Sequence, residues 1–152
     1  MFSKSKSVTV NELRQDVSNI DPTHVEYIDL DWEDRRRPRR KVKTDSGLEL
    51  ALALKRGTIL SDGDILYADE NKVVVVRAKS QEVVCIHPLN FNQATRVSHF
   101  LGNWHRSIQT TETGLLITEL DAPFKEWLTR EQINFEVETR PYHPNLKGTE
   151  HA

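Results

Sequence analysis

The residues best suited to metal chemistry in this chain are its histidines, because it has six of them and only one cysteine. A single cysteine can form neither an internal disulfide nor a cysteine-rich zinc framework. The neutral imidazole of histidine, in contrast, is a ligand for zinc, nickel and copper. The six histidines are therefore the candidates for metal chemistry.

His105 has the most specific sequence around it, LGNWHRSIQ at residues 101–109. Gly102 and Asn103 both accept the left-handed conformation of a helix cap, so they predict that a helix ends there. The chain then reverses and presents His105 beyond the turn, with an imidazole nitrogen free to face outward. On this pattern alone, a surface or packing histidine is the commoner outcome and a metal ligand is the alternative.

The cysteine and three other histidines have simpler interpretations. Cys85 lies inside the apolar run 83–86, which predicts a small buried side chain. His87 precedes a proline at the end of that run, and His99 falls on the more polar side of a predicted helix. His24 lies near several carboxylates, which predict a solvated surface. None of these four residues is favoured as a ligand.

Residues 35–43 concentrate seven of the 21 basic residues of the chain in nine positions. Such a run favours binding to nucleic acid or to an acidic protein, and the alternative is a sheet edge that charges protect from aggregation. The whole chain has 23 acidic residues and a net charge of -2, which gives no reason to expect nucleic acid or an anionic membrane as partner. The candidate partner-binding residues are Arg35, Arg36, Arg37, Arg39 and Arg40.

The first half of the chain has the patterns of strands. Leucine recurs at every second position of residues 48–54, which directs one face of a strand toward a core. The pair Asp62-Gly63 lies between short apolar runs and predicts a tight turn, because glycine tolerates positive φ. We therefore predict a small all-β N-terminal domain over residues 1–78.

Strand and helix patterns alternate in residues 79–140. An apolar strand at residues 83–86 precedes a helix, and a hairpin with glycine at its turn follows that helix. Asp121 predicts the cap of a second helix, and residues 133–137 alternate as a closing strand. The first helix has apolar residues at spacings of three, three and four, which places them on one face: Phe91, Ala94, Val97 and Leu101.

This order of strand, helix, strand, strand, helix, strand is that of the ferredoxin-like fold. The predicted fold class is α+β, with a small all-β N-terminal domain followed by a ferredoxin-like βαββαβ C-terminal domain. Residues 141–152 contain two prolines and little apolar content, which predicts a short flexible tail. The longest apolar runs have the length of strands, so no segment is expected to cross a membrane.

The turn that carries His105 resembles the signature of the UreE family of urease accessory proteins. That signature has a Leu-Gly-Asn turn, a histidine two residues later and a glutamine four residues further on, as in residues 101–109. Gly47, Gly57 and the Asp62-Gly63 turn resemble the glycine pattern of the family's N-terminal domain, in the same order. The resemblance covers residues 20–142, and the Leu-Gly-Asn-x-His turn is its most specific element.

The resemblance implies a homodimeric nickel metallochaperone, with a partner-binding N-terminal domain and a metal-binding C-terminal domain. The family's metal-binding histidine at the dimer interface falls on His105, and a two-fold axis would bring this residue from both chains together. The implied partners are the urease apoprotein complex and its accessory GTPase, in the cytoplasm. Nickel is the implied metal, and zinc or copper can replace it in vitro because imidazole ligates all three.

The chain departs from the family in its number of histidines. Many members end in a histidine-rich tail, whereas only His143 and His151 follow the last predicted strand here, which argues against bulk nickel storage. Either residue could reach the dimer axis and complete the coordination of the metal, and a solvated tail residue is the alternative. The extra histidines that some members carry before the second helix are replaced by residues 120–122.

Two other classes of function are alternatives to a metallochaperone. A basic β module and a ferredoxin-like domain could form an RNA-binding protein. An RNA-recognition sheet needs exposed aromatic side chains on its central strands, and residues 83–86 and 115–118 have none. An enzyme is not expected, because the chain has no nucleophile elbow, phosphate loop or dinucleotide-binding motif.

Overall fold

The computed structural model of the protein describes residues 7–14 and 24–148. The chain divides after Lys79 into two compact units, residues 1–79 and residues 80–152. Among the described residues, the first unit holds six strands and a single short helix, whereas the second holds four strands and two longer helices. The predicted α+β class is confirmed.

The N-terminal unit is built from two small sheets. Its described elements are β1 (Ser7–Val10), β2 (Val25–Leu30), α1 (Trp32–Arg35), β3 (Arg39–Lys43), β4 (Glu49–Ala53), β5 (Ile65–Ala68) and β6 (Val73–Ala78). The strand order is β1-β4-β3 in one sheet and β2-β6-β5 in the other. Strands β1 and β4 are parallel, as are β2 and β6, and the remaining pairs are antiparallel.

The leucines of residues 48–54 form part of the core of this unit, as predicted. Leu50, Leu52 and Leu54 are 0%, 4% and 2% exposed. They pack in one apolar cluster with side chains from the other sheet, such as Ile28 and Val76. The period-two spacing therefore identified the buried face correctly, because alternate side chains of a strand point the same way.

The turn at Gly63 has the predicted conformation. Its φ is +91°, in the region that glycine adopts without strain. The backbone N–H of Gly63 donates to the carbonyl of Val76 at 2.8 Å, and the carboxylate of Asp62 accepts from the N–H of Ala78 at 2.7 Å. These bonds hold the turn against the end of β6.

Strand β2 ends at Leu30, because Asp31 caps the short helix α1. The Asp31 side chain accepts a hydrogen bond from the backbone N–H of Asp34 at 2.9 Å. Aspartate is among the strongest N-cap residues, since its carboxylate satisfies an otherwise unpaired N–H of the first helical turn. The basic run consequently begins inside a helix and becomes a strand only at Arg39.

The C-terminal unit has the predicted order of elements. They are β7 (Ser80–His87), α2 (Phe91–Asn103), β8 (Gln109–Thr110), β9 (Leu116–Glu119), α3 (Ala122–Arg130) and β10 (Asn134–Pro141). The sheet order is β10-β7-β9-β8, and all neighbouring pairs are antiparallel. With the two helices as connections, this is the ferredoxin-like arrangement.

The two helices pack on one face of this sheet. Val97 and Leu101 of α2 and Phe124 and Leu128 of α3 are at most 1% exposed, and they cluster with side chains of the sheet such as Val84. Asp121 caps α3 as predicted, since its side chain accepts from the N–H of Phe124 at 3.0 Å. No helix within the described residues is long and apolar enough to cross a bilayer.

Phe91 does not share the buried face of α2, contrary to the prediction. It is 92% exposed, whereas Val97 and Leu101 are buried. A step of three residues falls about 60° short of a full helical turn. Two such steps separate Phe91 from Val97, so its side chain points well away from the sheet.

Candidate metal centre

The turn at His105 is formed by the way helix α2 ends. The backbone N–H of Arg106 donates to the carbonyl of Leu101 at 2.9 Å, and the N–H of His105 donates to the carbonyl of Gly102 at 3.1 Å. This pair of bonds is a Schellman motif, in which the residue after the C-cap takes the left-handed conformation. His105 occupies that position, with φ +56°.

The predicted left-handed cap at Gly102 and Asn103 was therefore wrong in its position. Both residues lie within α2, and the helix continues until Trp104 forms its C-cap. The helix extends one further half-turn, and the carbonyl of the buried Leu101 closes the motif. The histidine of the signature, and not its glycine, thus takes the left-handed backbone.

A left-handed backbone is an uncommon position for histidine. It costs about 1 kcal/mol for a residue with a Cβ atom, although histidine is several-fold enriched there over most other residues. Within the described residues, Gln132 is the other non-glycine residue with positive φ, at +57°. It closes α3 through the same motif, in which the N–H of Ile133 donates to the carbonyl of Leu128 at 3.0 Å. The conformation places His105 outside the helix but does not by itself indicate a ligand.

The side chain of His105 lies at an exposed and partly apolar surface. Its neighbour Trp104 is 55% exposed and stacks on Phe100, with ring centroids 5.6 Å apart. On its other side, Arg106 forms an ion pair with Asp121 at 3.1 Å. The histidine is therefore flanked in the chain by a residue with an exposed indole and by a residue whose guanidinium is paired with a carboxylate.

Residues 142–148, named here the C-terminal strap, run alongside the segment that follows His105. Strands β10 and β8 are the opposite edges of the sheet, and Leu146 forms a β-bridge with Ile108 beside β8. The strap thus carries the chain from one edge of the sheet to the other. Tyr142 at its start is 0% exposed. The predicted flexible tail from residue 141 onward does not describe this segment, which is instead bonded along its length.

Hydrogen bonds tie the strap to residues 107–110. The hydroxyl of Tyr142 donates to the carbonyl of Ser107 at 2.7 Å, and the N–H of Gly148 donates to the Ser107 hydroxyl oxygen at 3.1 Å. The side chain of Asn145 accepts from the N–H and hydroxyl of Thr110 at 2.9 and 3.0 Å and donates to its carbonyl at 3.1 Å. Gly148 itself packs against the backbone of His105.

The structure places His143 on the strap, beside Gln109. Its backbone N–H donates to the side-chain oxygen of Gln109 at 3.0 Å, and the residue is exposed. This hydrogen bond helps to hold the strap in place, and Gln109 is the glutamine of the signature. Gly148 of the strap packs against the backbone of His105, and His151 lies outside the described residues. Among the described residues, no group of three or more histidine, cysteine, aspartate or glutamate side chains could hold a metal ion.

The cysteine and the three histidines not favoured as ligands lie at the positions that their sequence context predicts. His24, His87 and His99 are exposed. Cys85 is 1% exposed, and its thiol donates to the carboxylate of Glu138 at 3.4 Å. Burial, with the Glu138 carboxylate as a second cause, raises the pKa of the Cys85 thiol. The thiol therefore stays protonated and is poorly suited to bind a metal.

Arg35 is not part of an exposed basic surface. It is 2% exposed, its Nε donates to the carbonyl of Asp31 at 3.3 Å, and its guanidinium lies 5.5 Å from the ring centre of Trp32. The sequence pattern could not show this, because the burial follows from the helix α1 that Asp31 caps. Arg35 is therefore unavailable to a partner and is removed from the predicted partner-binding set.

The other four arginines of that set remain at the surface to different degrees. Arg36 and Arg40 are half-buried, and each forms an ion pair with an acidic residue of α1, at 3.3 and 2.5 Å. Arg37 and Arg39 are exposed. Strand β3 is an edge strand, the position where charges would also protect a sheet from aggregation. The geometry is compatible with both interpretations of the basic run.

The sheet of the C-terminal unit offers no support for RNA binding. Val83, Val84, Cys85 and Ile86 of the central strand β7 are at most 1% exposed, although successive side chains of a strand point to opposite faces. Neither β7 nor β9 contains a phenylalanine, tyrosine or tryptophan. The stacking platform that a single RNA strand requires is therefore absent from these central strands.

Comparison with known proteins identifies similar sequences over most of the chain. The family model for "UreE urease accessory protein, N-terminal domain" matches residues 9–79. A urease accessory protein UreE from Deinococcus radiodurans is 38% identical over 124 residues, which cover 82% of this chain and 79% of that protein. Proteins of the same name from Staphylococcus epidermidis and Streptococcus vestibularis are 30% and 29% identical over 147 residues, covering 94% and 93% of this chain and 97% of each relative.

Proposed function

Because the chain belongs to the UreE family of urease accessory proteins, we propose that it is a metallochaperone that delivers nickel for assembly of the urease active site. Members of this family are accessory proteins of urease maturation and not enzymes. Nickel is here the cargo of the protein. The observation that carries the proposal is the position of His105, exposed at the end of helix α2.

One chain supplies too few ligands at this position for a complete metal site. The described residues contain no group of three or more candidate ligands, so His105 contributes a single imidazole. In a homodimer with a two-fold axis, the same residue of a second chain can lie opposite it. Two imidazoles leave several positions open on a nickel ion that prefers square-planar or octahedral coordination. An incompletely ligated ion is easier to pass on to another protein.

The uncovered apolar surface beside His105 supports a homodimer. Trp104 is 55% exposed and Leu146 of the strap is 55% exposed, although both are large apolar residues. Burying such side chains against a second chain is favourable, by about 25 cal/mol per Å² of apolar surface. The proposed interface would place His105 among apolar groups, where solvent competes less for the metal.

We propose His143 and His151 as the residues that complete the coordination of the metal. His143 is exposed on the strap that contacts the His105 turn, and His151 follows the strap by three residues. Imidazole also binds zinc and copper, so these ions can occupy the same site in vitro. Single His143→Ala and His151→Ala variants are expected to weaken nickel binding less than His105→Ala, because each leaves the two central imidazoles in place.

The proposed partners are the urease apoprotein complex and its accessory GTPase, in the cytoplasm. The basic residues Arg36, Arg37, Arg39 and Arg40 are the proposed docking surface on the N-terminal unit. Arg37 and Arg39 are exposed there, so an acidic partner could reach them. Charge reversal of both, Arg37→Glu with Arg39→Glu, is expected to weaken binding to the apoprotein complex, and unchanged binding would contradict this assignment.

Nickel titration of His105→Ala tests the proposed function. The unaltered protein is expected to bind nickel tightly with one ion per dimer, and His105→Ala is expected to lose this binding. His99→Ala is the matched control, because His99 is exposed on helix α2, six residues before His105. Calorimetry gives affinity and stoichiometry, and light scattering gives the mass of the assembly. Tight binding of one ion per dimer by His105→Ala would refute the proposal.

A further inference from the structure

We propose that the C-terminal strap positions the imidazole of His105 for metal binding, with Asn145 and Gly148 as the positioning residues. The inference rests on the proposed function, in which His105 is the ligand. It concerns residues that carry no metal-binding group themselves. Asn145 is exposed and Gly148 is half-buried, and both lie outside the apolar core cluster of the C-terminal unit.

The turn at His105 needs support on its C-terminal side. Its N-terminal side is held by helix α2 through the bonds of His105 and Arg106. On the other side the chain enters β8, which has only two residues and pairs with β9 along one edge. The strap supplies the second neighbour along this segment. The N–H of Ile108 donates to the carbonyl of Leu146 at 2.8 Å, and the N–H of Leu146 donates back at 3.0 Å.

Asn145 attaches the strap to Thr110. All three of its side-chain hydrogen bonds go to Thr110, at 2.9, 3.0 and 3.1 Å, and its backbone N–H donates to the carbonyl of Ile108 at 3.0 Å. Because Asn145 bonds to both the N–H and the carbonyl of Thr110, the strap cannot slide past Thr110 in either direction along the chain. No alanine or apolar residue can replace this combination, because it needs an acceptor and a donor on one planar group.

Gly148 fixes the distance between the strap and the turn. A Cβ atom at this position would lie 1.9 Å from the carbonyl oxygen of His105 and 2.5 Å from its carbonyl carbon. The two backbones therefore approach as closely as only glycine permits. Ser107 stabilises this contact between the strap and the turn, because its hydroxyl oxygen accepts from the N–H of Gly148 at 3.1 Å.

This arrangement restricts the backbone from which the imidazole projects. A ligand at a two-fold axis and its copy in the second chain must both point at the metal. Any conformational freedom of the turn that carries the ligand lowers the affinity for the metal. Groups that orient a ligand without touching the metal typically contribute about 10- to 100-fold in metal affinity. The strap is thus expected to affect nickel binding through the direction of His105 and not through the stability of the fold.

The test compares Asn145→Ala and Gly148→Ala with Asn92→Ala in the full-length dimer. Asn92 is an exposed asparagine at the opposite end of helix α2, away from the strap. Nickel alone is the probe, and calorimetry measures its affinity while absorption bands of the bound ion report its coordination geometry. Both strap variants are expected to bind nickel about tenfold more weakly and with shifted bands, whereas Asn92→Ala behaves as the unaltered protein.

The possible outcomes separate the strap from the proposed function. If His105→Ala loses nickel binding but both strap variants keep the affinity and bands of Asn92→Ala, the strap proposal alone is overturned. If His105→Ala binds nickel normally, the proposed function is refuted, and the strap proposal that rests on it is refuted with it. Should a strap variant not fold, Tyr142→Phe replaces it, since that change removes the hydroxyl that donates to the carbonyl of Ser107 and keeps the aromatic ring. Its expected result is a smaller shift in the same direction, and normal bands and affinity would overturn the proposal.

Discussion

The backbone of Gly148 lies directly against the carbonyl group of His105, so closely that a Cβ atom on Gly148 would fall 1.9 Å from the carbonyl oxygen. The contact joins the last residue that the structure describes to the candidate metal ligand. Because both partners are backbone atoms, neither can move away by a change of side-chain rotamer. The left-handed turn and the strap are therefore mechanically coupled.

Gly148→Ala is expected to displace the strap from the turn. The N–H of Ile108, which donates to the carbonyl of Leu146, should then exchange its hydrogen faster, by about tenfold. Gly102→Ala is the matched control, since a Cβ atom there would meet no heavy atom within 4 Å. It should leave this exchange unchanged and stabilise helix α2 by up to about 1 kcal/mol. Equal exchange rates at Ile108 in the two variants would contradict the coupling.

His105→Gly is expected to be more stable than His105→Ala. Alanine would keep the strain of φ +56°, whereas glycine adopts this conformation freely. The expected difference in the free energy of unfolding is about 1 kcal/mol, measurable by urea denaturation. Both variants lack the imidazole, so both should lose the proposed nickel binding equally. A more stable alanine variant would show that the turn does not keep its left-handed backbone.

The carboxylate of Asp69 should stabilise the N-terminal unit in a pH-dependent way. It accepts hydrogen bonds from the hydroxyl of Tyr67 at 2.6 Å and from the N–H groups of Asn71 and Lys72 at 2.7 and 2.8 Å. The Tyr67 hydroxyl, followed by the N–H of Asn71, lowers the pKa of Asp69 below its ordinary 3.8. A lowered folded-state pKa gives stability that is complete above the unfolded pKa and is lost as the pH falls through the folded one.

Asp69→Ala is therefore expected to destabilise the protein by about 1 kcal/mol at pH 7, and this difference should shrink as the pH falls below 3.8. Glu70→Ala, at the exposed neighbouring position, is the control and should change stability little. Thermal unfolding between pH 2.5 and pH 7 is the measurement. A difference between Asp69→Ala and the unaltered protein that stays constant over this range would show that the carboxylate charge is not the cause.

Cys85 is expected to react slowly with thiol reagents in the folded protein. Its thiol is 1% exposed, and burial together with the Glu138 carboxylate raises its pKa above 9.0. Glu138→Gln removes the charge, so labelling at pH 8 should become several-fold faster. Glu126→Gln, on the exposed side of α3, should leave the rate unchanged. Equal rates in the two glutamine variants would mean that burial alone controls the thiol.

Arg35 and Arg39 should respond differently to truncation although both belong to the basic run. Arg35→Ala removes a guanidinium that is 2% exposed and packed over Trp32, so a loss of about 2 kcal/mol in stability is expected. Arg39→Ala changes an exposed residue and should alter stability by less than about 0.5 kcal/mol. Thermal melting distinguishes the two. A similar melting temperature for both variants would contradict the structural role of Arg35.

The order of elements could be predicted because each element has a local signature. Alternating leucines at residues 48–54 identified a strand and its buried face, and Asp121 identified the start of helix α3. The order of the C-terminal elements then indicated the ferredoxin-like arrangement. The His105 turn was located by a short sequence, since Gly102 and Asn103 signal the end of a helix to within two residues.

The sequence by itself determined the class of fold, the order of the C-terminal elements and the histidine at the end of α2, because spacing and capping act between residues close in the chain. Only the tertiary structure decided that His105 takes the left-handed position, that Arg35 is buried and that residues 142–148 form a strap. The bonds of Ser107 with Tyr142 and Gly148 join residues 35 and 41 positions apart. No periodic pattern relates such positions, since their contact depends on how the sheet edges and the helix end are packed in space.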